Sequence, residues 1–101
     1  VKLSYEFNPI AEIELEQAVE YYESLLPGKG QELLDVAEEA IDFICTHPEA
    51  SECRRGNIRS KVLLPAHRWH YTIHYRIKGE MILILAFAHQ KQQPYYWLSR
   101  Q

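Results

Sequence analysis

Arg59 and Lys61 stand two positions apart in one extended run, and His74 and Arg76 stand two apart in the next. Side chains two apart share one face of a strand, so the members of each pair point the same way. With Arg54, Arg55 and Arg68 they compose a basic, histidine-bearing patch, and no acidic residue interrupts the chain from Arg54 to Gly79. Two chemistries suit such a patch. Cationic groups hold phosphates and position RNA, with a histidine nearby to move protons during cleavage. Alternatively, the same face is solvated and docks an acidic peptide. The whole chain shares this polarity: residues 1–52 carry two bases against thirteen acids, or −11, and residues 53–101 carry nine bases against Glu80 alone, or +8. One pole attracts polyanions or an acidic partner and the other repels them.

His67, His70, His74 and His89 raise the question of a metal. His70 and His74, four apart on a strand, are separated by about 13 Å and cannot share one ion. Neither a metal nor a cofactor is expected. Glycine-rich phosphate loops, nucleophile elbows and zinc-peptidase helix motifs are missing, and Ser4, Ser24, Ser51, Ser60 and Ser99 have no catalytic setting. After Pro94, the aromatics Tyr95, Tyr96 and Trp97 offer three uses: stacking on bases, filling a pocket on a partner, or folding back over the core.

The elements that must position these residues follow from periodicity. Val1, Leu3, Tyr5 and Phe7 alternate with polar residues, which predicts a half-buried strand. Asn8-Pro9 starts a helix, with Asn8 as N-cap, Pro9 in its first turn and Glu12 and Glu14 at the positive end of its dipole. Its apolar stripe is Ala11, Leu15, Ala18, Val19, Tyr22 and Leu25. Pro27-Gly28-Lys29-Gly30 turns the chain into a second helix striped by Leu33, Leu34, Ala37, Ala40, Ile41 and Ile44, which stops at His47-Pro48. Residues 48–57 read as a loop, 58–64 as a strand, 65–68 as a turn, and 69–77 as a strand with Trp69, Tyr71, Ile73, Tyr75 and Ile77 on one face. Lys78-Gly79-Glu80 turns into residues 81–88, apolar on both faces and therefore expected as the most central strand. The fold expected is α+β, a two-layer sandwich in the order β-α-α-β-β-β, with a helical hairpin packed on a mainly antiparallel four-stranded sheet.

At 101 residues this is one domain with one core. No stretch approaches the ~20 apolar residues of a membrane span, and residues 1–5 lack the pattern of an export signal. The expected address is cytoplasmic. Cys45 and Cys53, without C-x-x-C spacing, read as free thiols, with a local bridge as the alternative.

Several stretches taken together resemble the RelE/ParE superfamily of toxins from type II toxin-antitoxin modules, closest to its ParE-like, plasmid-stabilisation branch. They are Ala18-Val19-Glu20-Tyr21-Tyr22-Glu23, Pro27-Gly28-Lys29-Gly30, His47-Pro48-Glu49, Gly56-Asn57-Ile58-Arg59, Tyr71-Thr72-Ile73-His74-Tyr75-Arg76-Ile77, Ala88-His89-Gln90, Pro94, Tyr96-Trp97 and Arg100. The resemblance implies a toxin neutralised by a cognate antitoxin, as a homodimer or as a heterotetramer with it. It also implies one of two targets. RelE-like members cut messenger RNA in the ribosome, and ParE-like members inhibit DNA gyrase. Arg59 and Lys61 match the RelE-like basic pair, whereas Thr72 and Lys91 stand where those toxins carry arginines and Trp97 where they carry a tyrosine. From the ParE-like pattern the chain departs at His70, in place of a proline, and at Lys91-Gln92, in place of an arginine pair. The gyrase reading makes Arg59, Lys61, Arg76, Lys91, Tyr96 and Trp97 the contact residues. The ribonuclease alternative uses Arg59, Lys61, His74, His89 and Lys91, and a third alternative is a harmless antitoxin-binding relic.

Overall fold

The computed structural model describes residues 2–92 and 95–100, Arg54 by its backbone alone. Val1 of the first strand, Pro94 and the Arg54 side chain of the basic patch lie outside the described residues. Alternation in Ser4–Phe7 builds strand β1. The Asn8 side chain accepts the backbone N–H of Ile10 at 2.9 Å, with Pro9 following it, and this cap opens helix α1, Pro9–Leu25. Gly28, at φ +91°, supplies the left-handed residue that reverses the chain into α2, Lys29–Thr46. Gly30 is required there for another reason: a Cβ would meet the Val19 carbonyl oxygen at 2.6 Å. The close approach also brings Glu23 of α1 to the start of α2, where its carboxylate accepts the N–H groups of Gly28 and Gly30 at 3.0–3.1 Å. Free N–H groups at a helix start favour such an anion.

The remaining elements are β2 (Cys53–Arg55), β3 (Ile58–Val62), the short helix α3 (Ala66–Trp69), β4 (Tyr71–Lys78), β5 (Met81–His89) and a 3₁₀ turn at Leu98–Arg100. The sheet order is β1-β5-β4-β3-β2. β1 runs parallel to β5, and the other pairs are antiparallel. Both helices lie on one face, where Ala11, Leu15, Leu33, Ala37, Ile41 and Ile44 meet Ile73, Tyr75, Ile82, Ile84 and Phe87 in one core. The expected two-layer α+β sandwich is the fold.

Three details differ from expectation. Within the predicted loop, Cys53–Arg55 adds a three-residue edge strand to the four expected, turning back at Gly56 with φ +60°. β5 is an inner strand between β1 and β4, but the added strand gives β4 the middle place. Trp69 belongs to α3 and not to the following strand. His70, at φ 54°, ends that helical turn, and Trp69 reaches the core from it, edge-on to Tyr22 at 5.4 Å.

Candidate functional site on the open sheet face

The face of the sheet turned away from the helices owes its shape to an irregularity in β5. His74 pairs with Ala86 and Tyr75 with Ile84, so Leu85 is an extra residue, a β-bulge. Beyond it the side-chain alternation changes phase: Ile84 and Phe87 face the helices, while Leu85 and Ala86 both join the open face with Ile58 and Trp97. Trp97 reaches this position because residues 95–100 fold back across the sheet as a strap. Its indole stacks on the His74 imidazole at 4.4 Å and 23°.

A cleft of about 320 Å³ opens beside this stack, lined by Ser60, Thr72, His74, His89, Gln92 and Tyr95 among others. The Ser60 hydroxyl and His74 Nδ1 are hydrogen-bonded at 2.8 Å. His89 Nδ1 accepts the Lys91 backbone N–H at 3.1 Å, and the backbone N–H of His89 donates to Gln92 Oε1 at 2.8 Å. Burial first, then the neighbouring Lys91 and His70, lowers the His89 pKa from the ordinary 6.5. The imidazole is therefore neutral at pH 7.

The end of the strap is fastened where β1 stops. Phe7 is opposite Ile84, and past that point the β5 edge has no strand beside it among the described residues. Two side chains stand in for the missing strand. Glu14 of α1 accepts the Phe87 N–H at 3.1 Å, and Arg100 donates to the Leu85 carbonyl at 3.2 Å. Arg100 also pairs with Glu14 at 2.8 Å, and their side chains are only 11% and 14% exposed. The Tyr96 hydroxyl donates to the same carboxylate at 2.5 Å. Burial first, then that hydrogen bond and the charge of Glu14, push the Tyr96 pKa well above its usual range.

The residues singled out from sequence are divided by this architecture. Arg59 pairs with Tyr75 and Lys61 with Ile73, both of which face the helices, so the basic pair is on the helix side. The Arg59 guanidinium donates to the Ser51 carbonyl at 2.5 Å and more weakly to that of Glu49 at 3.4 Å. The Lys61 ammonium sits 5.0 Å from the centre of the Phe43 ring of α2. His74 and Arg76 are on the opposite face. The single basic patch expected from parity is therefore not formed: the sheet lies between its halves. Arg76 Nε is buried and has no hydrogen-bond partner among the described residues. Lys91 is exposed near His89, Tyr96 is half-buried against Glu14, and Trp97 is 2% exposed. Of the three aromatics only Tyr95 is open to solvent, its ring 4.6 Å from the Arg55 guanidinium. Sequence reasoning placed Glu14 only as a dipole partner. The available signal was its position inside the stripe of Ala11, Leu15 and Ala18, where a carboxylate has to find buried donors.

A family model described as the ParE toxin of the type II toxin-antitoxin system parDE matches residues 5–94. Among solved structures, the chain is similar in fold to a chain of the chromosomal ParDE TA system from P. aeruginosa, with a TM-score of 0.72 and 21% identity over 87% of this chain and 96% of that one. No curated protein sequence is similar enough to count as a match. With the family model spanning nearly all of the helical hairpin and the sheet, the chain belongs to the ParE toxin family of type II toxin-antitoxin systems.

Proposed function

We propose that this chain is the toxin of a plasmid-stabilisation pair, is neutralised in the cytoplasm by a cognate antitoxin, and acts by binding DNA gyrase, without cutting RNA. The observation that carries the binding reading is the separation of one basic pair, Arg59 and Lys61, from the histidines His74 and His89. Phosphodiester cleavage needs a proton-transfer group and a cation converging on one phosphate within hydrogen-bond reach. Arg59 and Lys61 project from one face of the sheet, His74 and His89 line a cleft on the other, and the Arg59 guanidinium is occupied by backbone carbonyls. A surface that binds a larger machine requires no such convergence. Arg76, Lys91 and the Tyr95–Arg55 pair then supply cationic and aromatic contacts on the open side, in keeping with interfaces that concentrate arginine and tyrosine.

The purified chain should inhibit supercoiling by purified gyrase and lose that inhibition when the antitoxin is added. Induced alone in a bacterial host, it should arrest growth with DNA damage while messages stay intact. Cleavage of translated messages inside coding regions would overturn the binding reading in favour of the ribonuclease. Unimpaired growth together with antitoxin binding would leave an interaction-only relic.

A further inference from the structure

We propose that Glu14 and Arg100 form a latch that holds residues 95–100 closed over the open face, and that opening it widens the cleft beside His74 and frees Tyr96 and Trp97 as an aromatic arm. The strap has few polar ties to the rest of the fold. Its amide bonds from Leu98 to Tyr95 and from Arg100 to Trp97 are internal. Among the described residues, its polar links to the rest of the fold are Tyr96 to Glu14 and Gln92, Arg100 to Glu14 and the Leu85 carbonyl, and the Asn8 amide to the Arg100 carbonyl.

The Glu14 carboxylate is the hub, taking the Phe87 N–H, the Tyr96 hydroxyl and both terminal nitrogens of Arg100. A carboxylate has about four acceptor positions, so this one is filled. Arg100 adds a contact of its own, lying 4.9 Å from the Tyr96 ring centre. Beneath the strap, Ile58, Leu85 and Ala86 meet Trp97, with Leu83, Tyr96 and Leu98 partly buried against them, and the Trp97 indole rests on the His74 ring.

The direction of opening follows from the same geometry. Removing one member of a nearly buried ion pair leaves the other charge without compensation, and the remaining charge must reach water. Glu14 belongs to α1, whose neighbours Ala11, Leu15 and Ala18 are buried in the main core, so it is held in place. Arg100 belongs to a segment whose own amide hydrogen bonds are internal to it, so the strap is the part that moves. A toxin that acts by contact would then present its aromatics only when unlatched, and this use of the arm rests on the binding reading above.

The test is amide hydrogen exchange on the whole chain carrying Glu14→Gln, with Glu12→Gln on the exposed side of the same helix as the control. Loss of the pair should speed exchange at Leu98 and Arg100 by about a hundredfold, leave the ladder amides of Ile73 and Ile84 unchanged, and shift the Trp97 indole N–H resonance. Glu12→Gln should do none of this. If Glu14→Gln does not fold, Arg100→Gln decides, because Glu14 keeps the Phe87 N–H while the strap loses its bonds to Glu14 and to the Leu85 carbonyl, and exchange at Leu98 must still rise. Protection of Leu98 and Arg100 equal to the parent, or loss of protection that is uniform across the domain, would overturn the latch. No target is needed for the measurement, so its failure leaves the gyrase reading standing, and a negative supercoiling assay leaves the latch standing.

Discussion

The two faces of one five-stranded sheet are covered in different ways. The helix side is closed by two long helices and a continuous apolar core, with Ala11, Leu33, Ala37 and Ile44 at or near zero exposure. The other side is closed by six residues of chain, one indole and one ion pair. Apolar burial is roughly additive in area and indifferent to direction. A latch depends on a few oriented groups, so it is lost all at once. The difference teaches that one face provides stability and the other provides a surface able to change.

This contrast is sharpest for two buried aromatics on opposite faces. Phe87→Ala on the helix side should cost the full ~3–5 kcal/mol of a large-to-small core change, read as a fall in the urea midpoint at constant slope. Trp97→Ala removes a larger side chain but should cost less than about 3 kcal/mol, because the strap can peel away while the sheet stays whole. Equal losses would mean that the strap belongs to the main cooperative unit. A smaller effect is expected at Arg59. Its replacement by Met should cost about 1–2 kcal/mol through the lost bonds to the Ser51 and Glu49 carbonyls, and gyrase inhibition should persist once folding is matched. Loss of inhibition in a fully folded Arg59→Met protein would break the assignment of the helix-side cations to structure.

The smallest effect should come from pH. His89 is held below its ordinary pKa of 6.5, so the folded state binds this proton less readily than the unfolded one. Stability from this residue is therefore complete at neutral pH and falls as pH drops through about 6.5 towards the folded value. The stability difference between the parent and His89→Gln should be constant above pH 7 and shift against the parent over that window. A difference that grows on the alkaline side would contradict the shift.

Much of the fold was legible because each element announced itself in a period. The alternation in β1, the stripes of α1 and α2, and the Asn8 cap all depend on neighbours within a turn or two of chain. The candidate site was less legible for a geometric reason. Parity shows that Arg59 and Lys61 share a face, but whether it is the face of His74 depends on the β3–β4 register. The connection that sets this register contains α3, a helical turn inside a stretch read as a turn and the start of a strand. The bulge at Leu85 was hidden in another way: residues 81–88 are apolar on both faces, leaving no polar alternation whose break could be noticed. The short β2 was obscured by charge, since Cys53, Arg54 and Arg55 look like loop although an edge strand tolerates them. The cleft and its strap join residues from β3, β4, β5, α1 and the chain end, and no local pattern records such a meeting.

The parallel pairing of β1 with β5 has a consequence in time. Ser4 to Phe7 find their partners at Met81 to Ile84, so β1 waits for β5, with both helices and the β3–β4 ribbon made in between. The helical hairpin and the β3–β4 ribbon can form from near neighbours, whereas this closure spans most of the chain and carries the largest ordering cost. On a translating ribosome β1 therefore remains unpaired until β5 has emerged, and the open face with its strap comes into existence only after that.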